Sequence, residues 1–233
     1  MSEPLAPIYL LADSQLLFWK RPDGRQFLRE VADSIGVEHP SAAYIGASNN
    51  DNLEFYHGIF EPAMRQIDSG ECRMILKHPA AEDAKFLETA DIILLAGGSV
   101  ETGWRAFAKN GLQQLIPRCY VSGAVLIGVS AGAVQLGRGG LTDDESALLP
   151  TFSLLPFYVA AHDEKNDWES LRKLLQLTEA SCRGIGLPFG GGAVYQAGEL
   201  EPIAKPIFEL FRDEQGVRES LALGMDSVHD RYS

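Results

Sequence analysis

The chain has 233 residues, 45% of them hydrophobic and 22% charged, which is enough apolar material for one sizeable core and too much for a disordered chain. Its formal net charge of −12 sets it against phosphate backbones and anionic membranes, since both are repelled at long range. No apolar run approaches the roughly 20 residues of a membrane-spanning helix, and the opening MSEPLAPIYLLAD lacks the basic start and cleavage site of a signal peptide. The expectation is a soluble, cytoplasmic protein with one domain over residues 1–233 that binds neither nucleic acid nor membrane.

In chain order, short apolar runs alternate with longer amphipathic ones. PIYLLA (7–12), AAYIGA (42–47), CRMILK (72–77), DIILLAGG (91–98) and AVLIGV (124–129) read as buried strands, because they are short, apolar on both faces and bounded by turn residues. Residues 24–36, 52–68 and 81–90 carry apolar side chains at three- and four-residue spacing and read as helices. This alternation predicts an α/β fold, a doubly wound and mainly parallel sheet flanked by helices. After residue 137 the pattern loosens into a loop, then a helix from about Asp167. RGIGLP, GAVYQAGELEPIAK and IFELF then predict a C-terminal antiparallel extension of the sheet, and the tail GMDSVHDRYS is expected to be poorly ordered. Cys72, Cys119 and Cys182 are far apart and form no C-x-x-C pair, so they predict reduced, buried packing residues. No metal site or cofactor is indicated.

The chemistry concentrates at GVSAG, where Ser130 lies between Gly128 and Gly132 directly after an apolar strand. In open parallel sheets ligands bind beyond the carboxyl ends of the strands. A serine on a tight strand-to-helix turn exposes its hydroxyl there, and flanking glycines remove the clashes a Cβ would cause. The motif is weak alone, but its setting is the one a nucleophile requires. The bland alternative is a glycine-lined helix start.

A serine nucleophile needs a base. Of five histidines, His229 lies in the tail, His57 within a helix, and His39 and His78 precede prolines in turns. His162 follows the strand-like FYVAA and can return to the same sheet edge, so it is the expected base. The acid that would orient it is ambiguous among Asp143, Asp144, Glu145, Asp163 and Glu164, with Asp144 first, Glu145 second and Glu164 third. Oxyanion donors are expected from the N–H of Ala131 and, through the AGGS turn, from Gly97 or Gly98.

Together these residues resemble the peptidase E family of serine peptidases, a relative of cyanophycinase and similar in fold to class I glutamine amidotransferases, which carry cysteine where this chain has Ser130. The resemblance runs from YIGASNNDNLEFYHGIF through GIGLP and is most specific in the SAGA elbow and the LLPF…H segment. It implies a serine hydrolase of short peptides, with Ser130 as nucleophile, His162 as base, and Gly98 and Ala131 as oxyanion donors. Aspartyl dipeptidases of the family carry arginine after the histidine to receive an acidic side chain. This chain instead has DEKNDWES there, AGGSVETGW where the family has GGGN, and PFGGG at a turn that reads PEG in relatives.

The substrate-binding residues expected on this reading are Gly97, Ser99, Glu101, Asp163 and Glu164, with Asp167 also near; their carboxylates would suit an amine or a basic side chain better than an acidic one. The expected partner is a small peptide, and a homodimer is compatible with this size. Two other readings compete: a non-catalytic ligand-binding relative, and an α/β-hydrolase esterase, whose histidine lies much further beyond the nucleophile.

Overall fold

The computed structural model describes residues 5–178 and 181–219. The tail GMDSVHDRYS, with His229, lies outside them. Five strands pair in parallel: β1 (Ile8–Leu11), β2 (Ala42–Ile45), β3 (Cys72–Ile75), β4 (Ile92–Leu95) and β5 (Val125–Val129). Helices α1 (Phe27–Ile35), α2 (Leu53–Phe55), α3 (Glu61–Arg65), α4 (Ala81–Leu87), α5 (Val100–Asn110), α6 (Leu112–Val121) and α7 (Ala131–Leu136) connect and cover them. The segment predicted as one helix over 52–68 is helical without a break from Leu53 to Arg65, with a π-type turn over Tyr56–Phe60 lying between α2 and α3. Gly111, at φ +79°, divides α5 from α6.

Alternation along each strand sends side chains to two cores, as a sheet covered on both faces requires. Ile8, Leu10, Ala43, Ile45, Ile93, Leu95 and Leu126 pack on one face with Phe107, Ile116 and Leu136. Tyr9, Leu11, Tyr44, Ile92, Leu94 and Ile127 pack on the other with Phe27, Val31, Phe60 and Met64. The fold is therefore α/β and doubly wound, as the alternation predicts.

The second half departs from a single extended sheet. A hairpin of β6 (Gly139–Leu141) and β7 (Leu148–Pro150) precedes β8 (Tyr158–Ala161), α8 (Glu169–Gln176) and β9 (Cys182–Leu187). Next, β10 (Gly192–Gln196) and β11 (Glu199–Ile203) do extend the main sheet antiparallel, giving the order β11-β10-β1-β5-β4-β2-β3. The remaining strands, β12 (Phe208–Asp213) and β13 (Gly216–Glu219), join β9 and β8 in a separate four-stranded sheet, β13-β12-β9-β8. This second sheet has its own small core of Trp168, Leu171, Leu174, Leu175 and Leu210. Cys119 is buried as expected, but Cys72 and Cys182, each the first residue of its strand, are only partly so.

Among the described residues no helix is long and apolar enough to cross a membrane, and no cluster of three histidine, cysteine or carboxylate side chains is arranged to hold a metal ion.

Candidate active site

Ser130 stands at the carboxyl end of β5, between β1 and β4, with φ +49° and ψ −108°. A non-glycine residue pays a conformational cost there, and its neighbours hold it in place. The Ser130 N–H donates to the Leu11 carbonyl at 2.8 Å, and Val134 N–H returns to the Ser130 carbonyl at 3.1 Å.

The two flanking glycines have separate steric reasons. A Cβ on Gly128 would lie 2.6 Å from the Ala133 nitrogen, and one on Gly132 would lie 2.2 Å from the Leu95 carbonyl oxygen. Gly98, at φ +127°, is pressed against the loop after β2, where a Cβ would fall 2.1 Å from the Ser48 oxygen. The turn after β4 is thus clamped beside the elbow, and Ser99 N–H donates to that same Ser48 oxygen at 2.9 Å.

His162 comes from the other sheet. It follows β8, takes φ +47°, and its N–H donates to the Leu187 carbonyl at 2.8 Å. Its Nε2 lies 2.8 Å from Ser130 Oγ, within hydrogen-bond range. Helix α7 makes this meeting possible, because it leaves Ser130 and packs its buried Leu136 in the same core as Phe157, just before β8, and Val159 within it.

Four of the five carboxylates expected to orient His162 are engaged elsewhere, and among the described residues no carboxylate stands within 4.0 Å of its ring nitrogens. Asp144 accepts from Thr142 Oγ1 at 2.7 Å and Ser146 Oγ at 2.8 Å; these hydrogen bonds, Thr142 foremost, hold its carboxyl down at about 2. Glu145 pairs with Lys173 at 3.1 Å. Asp143 accepts from Ser99 Oγ at 2.8 Å. Asp163 caps the start of α8, accepting from Ser170 N–H at 2.9 Å and Asn166 Nδ2 at 3.1 Å. Proximity in sequence misleads here because Asp144 is satisfied within its own TDDES turn, while Asp143 and Glu145 are taken up by Ser99 and Lys173 from other elements.

Glu164 differs. One carboxylate oxygen accepts from Phe189 N–H at 3.2 Å, while the other is buried without a hydrogen-bond partner.

Ser130 and His162 sit where two cavities meet. The first, about 620 Å³, is walled by aromatic and aliphatic side chains including Leu17, Tyr44, Phe55, Phe60, Leu94 and Phe189; Gly97, Gly98 and Glu164 also line it. Burial raises the Tyr44 phenol above its ordinary value, and that hydroxyl accepts from Asn49 Nδ2 at 2.7 Å. The second, about 400 Å³, is lined by Ser99, Ala131, Asp143, Glu145 and Asp163 among others. Glu101, expected to face substrate, lines neither. It is turned towards its own helix and the acidic loop, where it pairs with Arg105 and accepts from Asp143 N–H at 2.8 Å. Asp167 also lines neither cavity and pairs with Arg172 at 3.4 Å.

The walls of the larger cavity are not legible in the sequence. Tyr44, Phe60 and Leu94 carry the same apolar signal as any core position, and only the fold separates a residue that fills a core from one that lines a void.

The sequence profile of peptidase family S51 matches residues 10–201. The chain belongs to peptidase family S51. Within that match lie the elbow, the turn after β4 and His162, so the paired residues fall inside the S51 region. A curated relative, the uncharacterized peptidase YgaJ of Bacillus subtilis (strain 168), is 22% identical over 189 residues, covering 77% of this chain and 82% of its own. In fold, this S51 member is similar to a peptidase from an acI-B1 Actinobacterium, with a TM-score of 0.68 at 17% identity over 97% of this chain and 99% of the other. It is also similar to a Listeria monocytogenes EGD-e protein provisionally assigned as peptidase E, with a TM-score of 0.64 at 14% identity over 85% and 98% of the two chains.

Proposed function

We propose that the protein is a serine peptidase that hydrolyses short peptides, or isopeptide-like amides, through an acyl-enzyme on Ser130. The observation that carries this reading is the 2.8 Å approach of Ser130 Oγ to His162 Nε2 at the mouth of two cavities, in a chain of a peptidase family.

In the first step Nε2 of neutral His162 takes the hydroxyl proton as Oγ attacks the substrate carbonyl carbon, and the carbonyl π-electrons move to oxygen. The N–H of Ala131, the first residue of α7, has no helical acceptor and can donate to that oxyanion, with Gly98 as the second donor. The imidazolium returns its proton to the leaving amine, the C–N bond breaks, and an ester to Ser130 remains. Water, deprotonated by the same nitrogen, then attacks the ester carbonyl; the bond from acyl carbon to Oγ breaks, the imidazolium returns its proton to Ser130 Oγ, and the acid is released.

Among the candidate acids, Glu164 is the one we assign to support the imidazolium. It shares a cavity with Ser130 and His162, and its buried oxygen without a hydrogen-bond partner is the one among the candidate acids with an unmet demand for a donor. Ser99 and Asp163 would shape the smaller cavity rather than react.

Hydrolysis of a panel of dipeptides and tripeptides by the wild type and Ser130→Ala tests the reading. Cleavage that vanishes in the variant supports it; cleavage that persists, or none with either protein, counts against it.

A further inference from the structure

The larger cavity carries an inference about substrate class that rests on the peptidase reading above. We propose that it receives a bulky aromatic or branched aliphatic group flanking the scissile bond, and that the protein discriminates against an acidic group at that position.

Three observations lead there. The cavity is continuous with the nucleophile, since Ser130, Gly97 and Gly98 form one of its walls; whatever fills it adjoins the reacting carbonyl. Its volume of about 620 Å³ lies within the range of roughly 300–1,000 Å³ in which pockets enclose a large apolar ligand, well beyond the needs of a short polar side chain. Its lining is predominantly apolar. Phe60 and Leu94, each only 1% exposed, form the floor, whereas Phe55 and Phe189 stand 44% and 47% exposed at the opening. Two large aromatic rings left half in water beside a nucleophile are surfaces that a bound apolar group would cover.

The charges around the cavity point the same way. Among the described residues that line it, Lys165, which is exposed, is the one lysine or arginine, while Asp13 and Glu164 contribute two carboxylates. An acidic side chain entering here would lose its hydration, meet like charge and find no buried cation.

The wall is also braced before any ligand arrives. The Phe189 turn is held by Glu164 through its N–H, by Lys205 Nζ on its carbonyl at 2.7 Å, and by Asp13, which accepts from Gly190 N–H at 2.5 Å. A preformed apolar wall of this kind discriminates by size with little ordering cost.

Two measurements separate this inference from the peptidase reading. The first compares inactivation by two fluorophosphonates that differ only in carrying a benzyl or a methyl group on phosphorus. The second measures kcat/KM for Xaa–Ala and Ala–Xaa dipeptides in which Xaa is Phe, Leu, Ala or Asp. The benzyl reagent should label Ser130 about ten- to a hundredfold faster than the methyl one, the span expected for burying one large apolar group. Phe or Leu at one of the two positions should exceed Ala by a similar factor, with Asp below Ala. In Phe55→Ala the benzyl-to-methyl ratio should fall by about threefold or more. Equal labelling by both reagents overturns the inference even where peptides are cut, and so does Asp as the preferred residue. Benzyl preference without any peptide cleavage leaves the pocket assignment standing and removes the peptidase reading.

Discussion

The Ser130 hydroxyl and the His162 imidazole meet at 2.8 Å although 32 residues separate them and they end strands of different sheets. Both occupy left-handed backbone, at φ +49° and φ +47°. Non-glycine residues hold such conformations only where the surrounding structure over-determines them, and each here is tied by its own N–H to a neighbouring strand end, Ser130 to Leu11 and His162 to Leu187. The pair is a product of the packing of two sheets rather than of one loop.

Ser130→Ala should therefore lower turnover by about a thousandfold or more while leaving stability within about 0.5 kcal/mol, since alanine adopts the same strained backbone at similar cost. Steady-state kinetics beside a denaturant melt would check both parts.

The carboxylates should sort by how they are already engaged. Asp144→Asn and Glu145→Gln should keep activity within about threefold, because those groups are held by Thr142, Ser146 and Lys173 and not by the histidine. Glu164→Gln should lower kcat by about tenfold or more with little change in KM, as expected for a group that acts mainly on the imidazolium. Equal effects in all three variants would remove Glu164 from its assigned role.

Gly132→Ala tests the steric account of the elbow. Its Cβ would lie 2.2 Å from the Leu95 oxygen, so β4 or α7 must shift. A loss of about 3 kcal/mol, or a Tm roughly 6–12 °C lower, is expected by calorimetry; a variant as stable as the wild type would mean the elbow can relax at no cost.

Asp144 should titrate at about 2, by carboxyl-carbon NMR. Its folded value is depressed, so its hydrogen bonds to the TDDES turn favour the folded state above the ordinary carboxylate value of about 4 and are lost as pH falls through about 2. Thr142→Val removes the largest contribution and should move the midpoint upwards. An unchanged midpoint would show that Thr142 is not the cause.

The parts of this molecule that were legible in the sequence are those written as local patterns. The five parallel strands announce themselves as apolar runs bounded by turn residues, and the elbow as a serine between two glycines after such a run. His162 was reachable by elimination among five histidines.

What was not legible depends on partners distant in the chain. That β8, β9, β12 and β13 leave the main sheet for one of their own is decided by which edge each strand pairs with, and their apolar spacing does not encode that choice. The acid posed the same difficulty, because the charges of TDDE signal a solvated or self-bonded turn as readily as catalysis, and the partners Ser99 and Lys173 that take up Asp143 and Glu145 are distant in the chain. Tyr44, Phe60 and Leu94 belong to ordinary core patterns until the fold places a void beside them.

The central claim is that His162 activates Ser130, and the most direct measurement is the rate of fluorophosphonate labelling in the wild type, Ser130→Ala and His162→Ala, read by intact mass and peptide mapping. The account predicts a single adduct on Ser130 in the wild type, none in Ser130→Ala, and labelling slowed by about a thousandfold in His162→Ala. Wild-type protein that is not labelled, or a His162→Ala variant labelled at the full rate, would contradict it.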